Sequence, residues 1–399
     1  MDSREEAIAR DLSARVRALL EEHNPATTDP RDFLGARFDA GLAWVHFPRG
    51  YGGLELSQIF RAQIDAQLIA AGAPPPGGGK NIVGMGMAAP TIAAFGTEEQ
   101  KRKYLRSLYI GDQIYCQLFS EPGAGSDLAA VATRAVRDGE DWIVNGQKVW
   151  TSMAQQAQMA ILIARTDPTV PKHKGLTYFL CDMTLGGIDV RPLRQITGEA
   201  EFNEVFLTDV RVPDANRLGP EGGGWKVATT TLNHERVAIG SGASVPRESG
   251  MIGKITEAWR AKPHLRNPAM HDELMRLWVE SEVARLTGEQ SRQRAAAGQP
   301  GPEGAGMKLT FARLAQAISG MDLQLHAESG LRYDDWTLCR PELVDLIGRE
   351  PGYRYLRARG NSIEGGTSEI LRNTIAERIL GLPPEHRVDK DIAWKDLNR

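Results

Sequence analysis

The sequence predicts an α+β chain in three successive parts: helical over residues 1–112, β over 113–222 and helical again over 223–399. Two patterns carry this reading. At both ends apolar residues recur every three or four positions, the period of a helix with one buried face. Between them, short runs rich in Val, Ile, Phe and Tyr are separated by Gly, Pro and Asp, as strands joined by turns are. The two kinds of segment are segregated and not alternating, which argues against a doubly wound nucleotide-binding sheet.

Ser3 and Glu6 have capping-box spacing, and Ile8, Leu12, Val16 and Leu20 follow at intervals of four, so a first helix runs to Asn24-Pro25. A second run, Leu56, Ile59, Phe60, Ile64 and Leu68, stops at the Pro74-Pro75-Pro76-Gly77-Gly78-Gly79 loop. Asn81 to Phe95 is mostly small and apolar and reads as a helix buried on most sides; a polar helix capped by Thr97 with Gln100 follows. Past Gly111-Asp112, strands are expected at Gln113 to Ser120, Met159 to Ala164, Leu176 to Cys181, Ile188 to Leu193 and Phe202 to Val212. Trp142-Ile143-Val144 leads into Asn145-Gly146, which between apolar runs reads as a hairpin turn. After Gly222-Gly223-Gly224 helices return at Met270 to Ala297, Met307 to Ser329 and Thr367 to Leu380, with a loop at Gln299 to Gly304. No internal repeat is found.

The 399 residues allow two or three domains, and 41% hydrophobic with 25% charged residues is a globular balance. The charge sum, 48 − 51 = −3, argues against a protein that neutralises many phosphates, so nucleic acid is not expected as a partner. Cys116, Cys181 and Cys339 are an odd number without metal-ligand spacing, as in a reducing compartment. No run of about 18 apolar residues occurs, and the start lacks a basic and then apolar leader, so a cytoplasmic protein without a membrane span is expected. Several chemical motifs fail. Gly79-Lys80 is followed by Asn81 and preceded at the phosphate-loop position by Pro74. His234-Glu235 meets Ala238 where a zinc helix needs its second histidine, and no Gly-x-Ser-x-Gly elbow is present.

Two segments remain. Ser120-Glu121-Pro122-Gly123-Ala124-Gly125-Ser126-Asp127 joins two expected strands through a tight turn whose N–H groups and hydroxyls can face a ligand, or simply close a hairpin. Lys148-Val149-Trp150-Thr151-Ser152 ends a strand with a large aromatic plane beside two hydroxyls; alone, such a tryptophan is commonly a core residue.

Taken in order with Asn145-Gly146-Gln147 and with Gly366-Thr367-Ser368-Glu369-Ile370 near the end, these segments resemble the acyl-CoA dehydrogenase flavoproteins over nearly the whole chain. The resemblance implies an N-terminal helical domain, a β-barrel-like middle domain and a C-terminal four-helix bundle. It implies FAD as cofactor, α,β-dehydrogenation of an acyl-CoA thioester in lipid catabolism, and electrons passed to an electron-transfer flavoprotein. It places Gln117, Leu118, Phe119, Ser120, Gly125 and Ser126 along the flavin, Trp150 and Thr151 beside it and the Ser152 hydroxyl near its reactive nitrogen. Thr367, Ser368 and Glu369 would meet FAD at a helix start, where exposed N–H groups favour an anion. Ser126 and Arg236 would contact substrate, Arg236 at its CoA portion, and Asn233 replaces an aspartate common there. No metal is implied, and the assembly is a homotetramer or a heterotetramer of unlike subunits.

The reaction needs a carboxylate to remove the α-proton. Much of the family carries a glutamate where this chain has Gly365, whose N–H is left to polarise the thioester carbonyl. Isovaleryl-type and long-chain members place it on the helix after the β domain, here Leu232-Asn233-His234-Glu235-Arg236. Trp225, Ala228, Leu232, Glu235 and Ile239 share one helical stripe, and Thr231, Leu232, Ala238 and Ile239 offer Glu235 no cation on its own helix. Desolvation without a partner raises a carboxyl pKa toward roughly 6 to 7, the range a base wants. Glu235 is therefore the expected base; a structural glutamate paired with a distant arginine is the alternative role. Glu364 is the competitor, weakened by the positive end of the helix dipole after it. The usual Arg-x-x-Phe-Gly and Gly-Gly-x-Gly flavin contacts are not evident, Arg266-Asn267-Pro268 standing near the first place. A non-catalytic partner subunit, or a flavin oxidase or monooxygenase of the same fold, are the other readings.

Overall fold

The computed structural model describes residues 3–240, 246–296, 303–333, 335–343 and 348–397. Two compact units result: Met1–Arg191 with Asn203–Thr231 and Asp389–Arg399, and Pro192–Phe202 with Leu232–Val388.

The first unit opens with helices α1 (Ser3–Glu22), α2 (Pro30–Asp39), α3 (Arg61–Ala70), α4 (Ala89–Phe95) and α5 (Glu98–Ile110). The expected stripe of α1 is its buried face: Leu12 and Val16 meet Ile64 and Leu68 of α3, with Phe33 of α2, in one apolar cluster. The capping box of α5 is present, the Thr97 side chain accepting from Gln100 N and the Gln100 side chain from Thr97 N. Asn81 to Phe95 is not one regular helix; a π-helical turn, Gly84–Ala88, precedes α4. The Asn81 amide explains the departure, bonding outward to Leu108 O, Gln113 O and Tyr115 N instead of along a helix.

A seven-stranded sheet follows: β1 (Tyr115–Leu118), β2 (Arg134–Asp138), β3 (Asp141–Ser152), β4 (Met159–Arg165), β5 (Leu176–Asp182), β6 (Ile188–Leu193) and β7 (Phe202–Pro213). Its order is β1-β4-β2-β3-β7-β6, with β5 on β4, a curled half-barrel around Trp142, Val144, Leu162, Phe179, Val205 and Val210. One expected turn is wrong. Asn145-Gly146 lies inside β3, and the hairpin closes at Gly139-Glu140, between the paired Asp138 and Asp141, with Gly139 at φ 62°. Asn145 instead exchanges hydrogen bonds with Asp209, accepting from its N–H and donating to its carboxylate. Gly146 is needed for space, since a Cβ there would stand 2.3 Å from Thr133 Oγ1.

Helix α6 (Gly224–Gly240) leads into α7 (Met251–Ala261), α8 (Pro268–Ala296), α9 (Glu303–Gly330), α10 (Pro351–Ala358) and α11 (Ser368–Arg378). Helix α9 packs against α7, α8, α10 and α11, and Ile252, Ile255, Leu274, Leu277, Leu314, Ile318, Met321 and Leu325 form the helical core. The expected loop at Gln299 to Gly304 falls largely on residues 297–302, outside the described residues, and Glu303 already begins α9. Among the described residues no helix is long and apolar enough to cross a membrane.

Candidate active site

In the first unit the turn after β1 is closed by reciprocal bonds between Glu121 and Ala124, each N–H donating to the other's carbonyl at 3.0 Å. A buried ion pair holds it. Lys148, with no solvent exposure, donates to Glu121 Oε1 at 2.8 Å, to Phe119 O at 3.0 Å and to Ile163 O at 2.9 Å. The other carboxylate lone pairs accept from Ala132 N and Thr133 N. Burial pushes the Glu121 carboxyl up, yet the Lys148 charge and these hydrogen bonds outweigh it and hold it below its ordinary value. Burial lowers the Lys148 pKa, with Glu121 opposing.

This clamp brings the turn against the end of β3, where Val149 N donates to Ser120 O. Trp150 there has φ 60° and Met153 has φ 54°, a left-handed conformation unfavourable for bulky side chains. The strained backbone leaves the Trp150 indole 58% exposed while Thr151 is buried. The Thr151 hydroxyl has no hydrogen-bond partner among the described residues. Ser152 is half-buried, Gly125 and Ser126 are exposed, and a Cβ on Gly123 or Gly125 would touch nothing within 4 Å. The backbone of the turn is thus open to a ligand. Leu118 and Phe119 do not offer side chains to it: Leu118 lies in the sheet core and the Phe119 ring stands edge-on to Tyr178. Gln117 is half-buried.

The second unit gathers a separate group at the end of α6. The buried face of α6 is Gly224, Val227, Ala228 and Thr231; Glu235 continues it one turn on and is half-buried, as Trp225 and Leu232 are. The side chain of Ile239 lies outside the described residues. Lys308 of α9 has no solvent exposure; burial lowers its pKa, and the charges of Glu364, Glu235 and Glu369 oppose that. Lys308 donates to Gly366 O at 2.7 Å. Gly365 and Gly366 have φ 62° and 93°, a turn that glycine adopts without strain. Arg236 lies beside it: a Cβ on Gly366 would stand 3.9 Å from Arg236 Nε, a buried atom with no hydrogen-bond partner among the described residues. The Arg236 Nη1 group donates to Oδ1 of exposed Asn233 at 3.3 Å. Glu364 is held by Arg357 through both oxygens, at 3.2 and 3.0 Å, and Arg357 also donates to buried Glu201 at 2.9 Å. Thr367 caps α11, its hydroxyl accepting from Ile370 N, with Ser368 in the first turn. Glu369 faces outward, 75% exposed, paired with Arg372. Arg266, near the place of a missing flavin contact, instead donates to Trp259 O and Arg260 O at the end of α7.

Three family models, the N-terminal, middle and C-terminal domains of acyl-CoA dehydrogenase, match residues 4–112, 116–210 and 222–380. The chain belongs to the acyl-CoA dehydrogenase family. Members of this family are FAD-binding oxidoreductases of the α+β fold described above. The acyl-CoA dehydrogenase FadE34 of Mycobacterium tuberculosis is 39% identical over 86% of this chain, which spans 45% of that protein. The acyl-CoA dehydrogenase IpdE1 of the same organism is 35% identical over 87% of this chain and 86% of its own length. Among solved structures, the ChsE4-ChsE5 complex of M. tuberculosis aligns over 96% of this chain and 99% of its own with 30% identity and a TM-score of 0.70. The open turn at Gly123 and Gly125, the outward indole of Trp150 and the Thr151 hydroxyl without a partner among the described residues fit an aromatic, hydrogen-bonding group such as FAD.

Three residues of these groups have no sequence-level assignment: Lys148, Lys308 and Arg357. Lys148 sits in the Lys148-Val149-Trp150-Thr151-Ser152 strand end, and a lysine in an alternating strand with a glutamate in the adjoining turn is readable as a pair. Lys308 reaches the Gly366 carbonyl only through packing of α9, so local sequence carries no signal for it, whereas Arg357 stands seven residues before Glu364, a spacing that no regular helix or strand pattern singles out.

Proposed function

We propose that the protein is an FAD-dependent acyl-CoA dehydrogenase in which Glu235 removes the α-proton of an acyl-CoA thioester. The observation that carries this reading is the unequal placement of the two candidate carboxylates. Glu364 accepts from two guanidinium N–H groups of Arg357, so both of its oxygens are already engaged in a charge-assisted pair. Glu235 stands at the half-buried end of α6, next to Arg236. Arg236, with its buried Nε still able to donate, is assigned to an anionic part of the CoA moiety, helped by Asn233. The Gly365 N–H is assigned to the thioester carbonyl oxygen, where negative charge grows as the α-proton leaves. Lacking a side chain, Gly365 also leaves room for a bulky or branched acyl group.

FAD, when bound, supplies the acceptor for the hydride from the β-carbon. Two groups of residues are assigned to hold it. In the first unit these are the backbone of Gln117, Leu118, Phe119 and Ser120, then Gly125 and Ser126, with Trp150, Thr151 and Ser152; Ser126 is also assigned to substrate. In the second they are Thr367, Ser368 and Glu369 at the start of α11. Domain limits at 112/113 and 222/223 belong to the same reading, as does a cytoplasmic location, supported by three cysteines without a disulfide. The electron acceptor is an electron-transfer flavoprotein. The assembly is a tetramer of like or unlike chains, supported by the heteromeric ChsE4-ChsE5 relative and by the exposed apolar residues Met275, Val279, Val283 and Leu286 on successive turns of α8.

Anaerobic titration of the FAD-loaded protein with a panel of CoA thioesters tests this. Bleaching by at least one of them, with slow return of colour in air, is expected. A colourless protein that takes up no FAD, or rapid reoxidation by air, would overturn the reading in favour of a scaffold subunit or an oxidase.

A further inference from the structure

We propose that Arg357 is a positioning residue for the reaction: by gripping the Glu364 carboxylate it fixes the peptide that presents the Gly365 N–H to the thioester carbonyl. This rests on the assignment of the Gly365 N–H to that carbonyl, and it makes Glu364 an anchor of the turn and not a proton acceptor. The N–H belongs to the peptide between Glu364 and Gly365, so its direction is set by the Cα of Glu364 on one side and by Gly365 on the other. Gly365 and Gly366, at φ 62° and 93°, bring no restraint of their own, because a glycine backbone adopts either sign of φ about equally readily. A donor that stabilises developing charge has to be aimed beforehand, and in this turn the aim has to come from neighbouring residues.

The side chains around the turn supply that aim. Glu364 N donates to Gly360 O at 3.0 Å, and both carboxylate oxygens accept from Arg357, Oε1 from Nη1 at 3.2 Å and Oε2 from Nη2 at 3.0 Å. Two bonds from a planar fork fix a carboxylate in orientation as well as distance, which a single ammonium cannot do. Arg357 is held in turn. From α10 its Nε donates at 2.9 Å to Glu201, a buried residue just before β7, and its Nη1 also donates to Asn361 Oδ1 at 3.4 Å. The guanidinium lies 5.5 Å from the Phe202 ring centroid. Side-chain exposure falls from 28% at Glu364 to 10% at Arg357 and 2% at Glu201, so the grip is anchored in the interior and reaches outward to the turn. On the far side Lys308 donates to Gly366 O at 2.7 Å, and the Thr367 hydroxyl accepts from Ile370 N. The glycine pair is thus fastened at both ends, with the Glu364–Gly365 peptide at the Arg357 end.

The probe is an enoyl-CoA, the α,β-unsaturated product of a thioester that bleaches the flavin, isotope-labelled at its carbonyl carbon and bound to the FAD-loaded protein. Infrared difference spectra read the polarisation of that carbonyl, a signal that loss of stability alone does not move. Glu364→Leu removes the carboxylate, Arg357→Lys keeps the charge but loses the fork, and Glu364→Gln keeps one oxygen for the fork. The parent protein is expected to lower the carbonyl band relative to the free ligand. In Glu364→Leu and Arg357→Lys the band should return most of the way, and the saturating bleaching rate should fall by about 10- to 100-fold while the enoyl-CoA dissociation constant changes by less than about threefold. Glu364→Gln should lie between these and the parent. A band at the parental position in folded, FAD-loaded Glu364→Leu overturns the proposal; should that variant not fold, Arg357→Lys decides by the same criterion. Loss of bleaching in Glu364→Leu with the band unmoved also overturns it and returns the base to Glu364. The underlying reading fails in a different way: an unshifted band in the parent itself removes the Gly365 donor, and a parent bleached by no thioester is not a dehydrogenase, and in either case the proposal falls with it.

Discussion

Lys148 makes no contact with solvent and donates to the Glu121 carboxylate and to the carbonyls of Phe119 and Ile163. Replacing it by methionine leaves Glu121 buried without a counter-ion, and breaking such a pair from one side costs about 3–5 kcal/mol. Urea unfolding of Lys148→Met should show a loss of that size, and a second change, Glu121→Gln, should restore part of it. The same pair gives acid sensitivity with a definite sign. Because Glu121 is held below its ordinary value in the folded protein, its contribution is complete above the unfolded carboxyl pKa and is lost as pH falls through the folded one. Unfolding free energy measured from neutral pH downward should therefore decline less steeply in Glu121→Gln. At this scale the motif residues of the turn and of β3 were legible, because their order and glycine spacing are local properties. The exposure of Trp150 was not, since it depends on a positive φ that the residue type disfavours.

Among the elements, the segment after Val388 has a larger part than its length suggests. Lys172 donates to Asp127 of the candidate flavin turn at 2.7 Å and pairs with Asp389 at 2.5 Å. A few residues on, Trp394 donates through Nε1 to Ala130 O, and the Arg165 guanidinium lies 4.3 Å from its ring centroid. The segment thus braces the end of that turn within the first unit. Trp394→Ala removes a cation–π contact and a hydrogen bond, together about 1–3 kcal/mol. A lowered melting temperature and a faster release of FAD on dilution are expected; unchanged release would separate the brace from the cofactor. Most elements could be read from apolar period and turn residues, as in α1, α5, β4 and β7. Helix α2 could not: its buried Phe33, Leu34 and Phe38 give little period over ten residues, although Asp29 before Pro30 was an available start signal. The misplaced hairpin has a similar origin. Asn-Gly is a strong turn signal, but here Asn145 is bonded to the neighbouring strand and Gly146 serves close packing against Thr133.

For the whole molecule, the helical, β, helical order was readable because segregated periodicities survive any detail of packing. The two groups of candidate residues were readable only as motifs, since Lys308 lies far in sequence from the Gly366 carbonyl it holds, and Arg357 meets Glu364, seven residues on, only through the turn that follows α10. Assembly belongs to this scale too. Helix α8 exposes Val279 and Val283 at 57% each, and Val283→Glu should lower the oligomer mass measured by light scattering while leaving the far-UV helix signal unchanged. The most direct measurement of the central claim compares anaerobic flavin bleaching by one reactive CoA thioester in Glu235→Gln and Glu364→Gln, both with FAD retained. A fall of about 10²-fold or more is expected for Glu235→Gln, and a rate within about tenfold of the parent for Glu364→Gln. Bleaching that persists in Glu235→Gln and disappears in Glu364→Gln would contradict it.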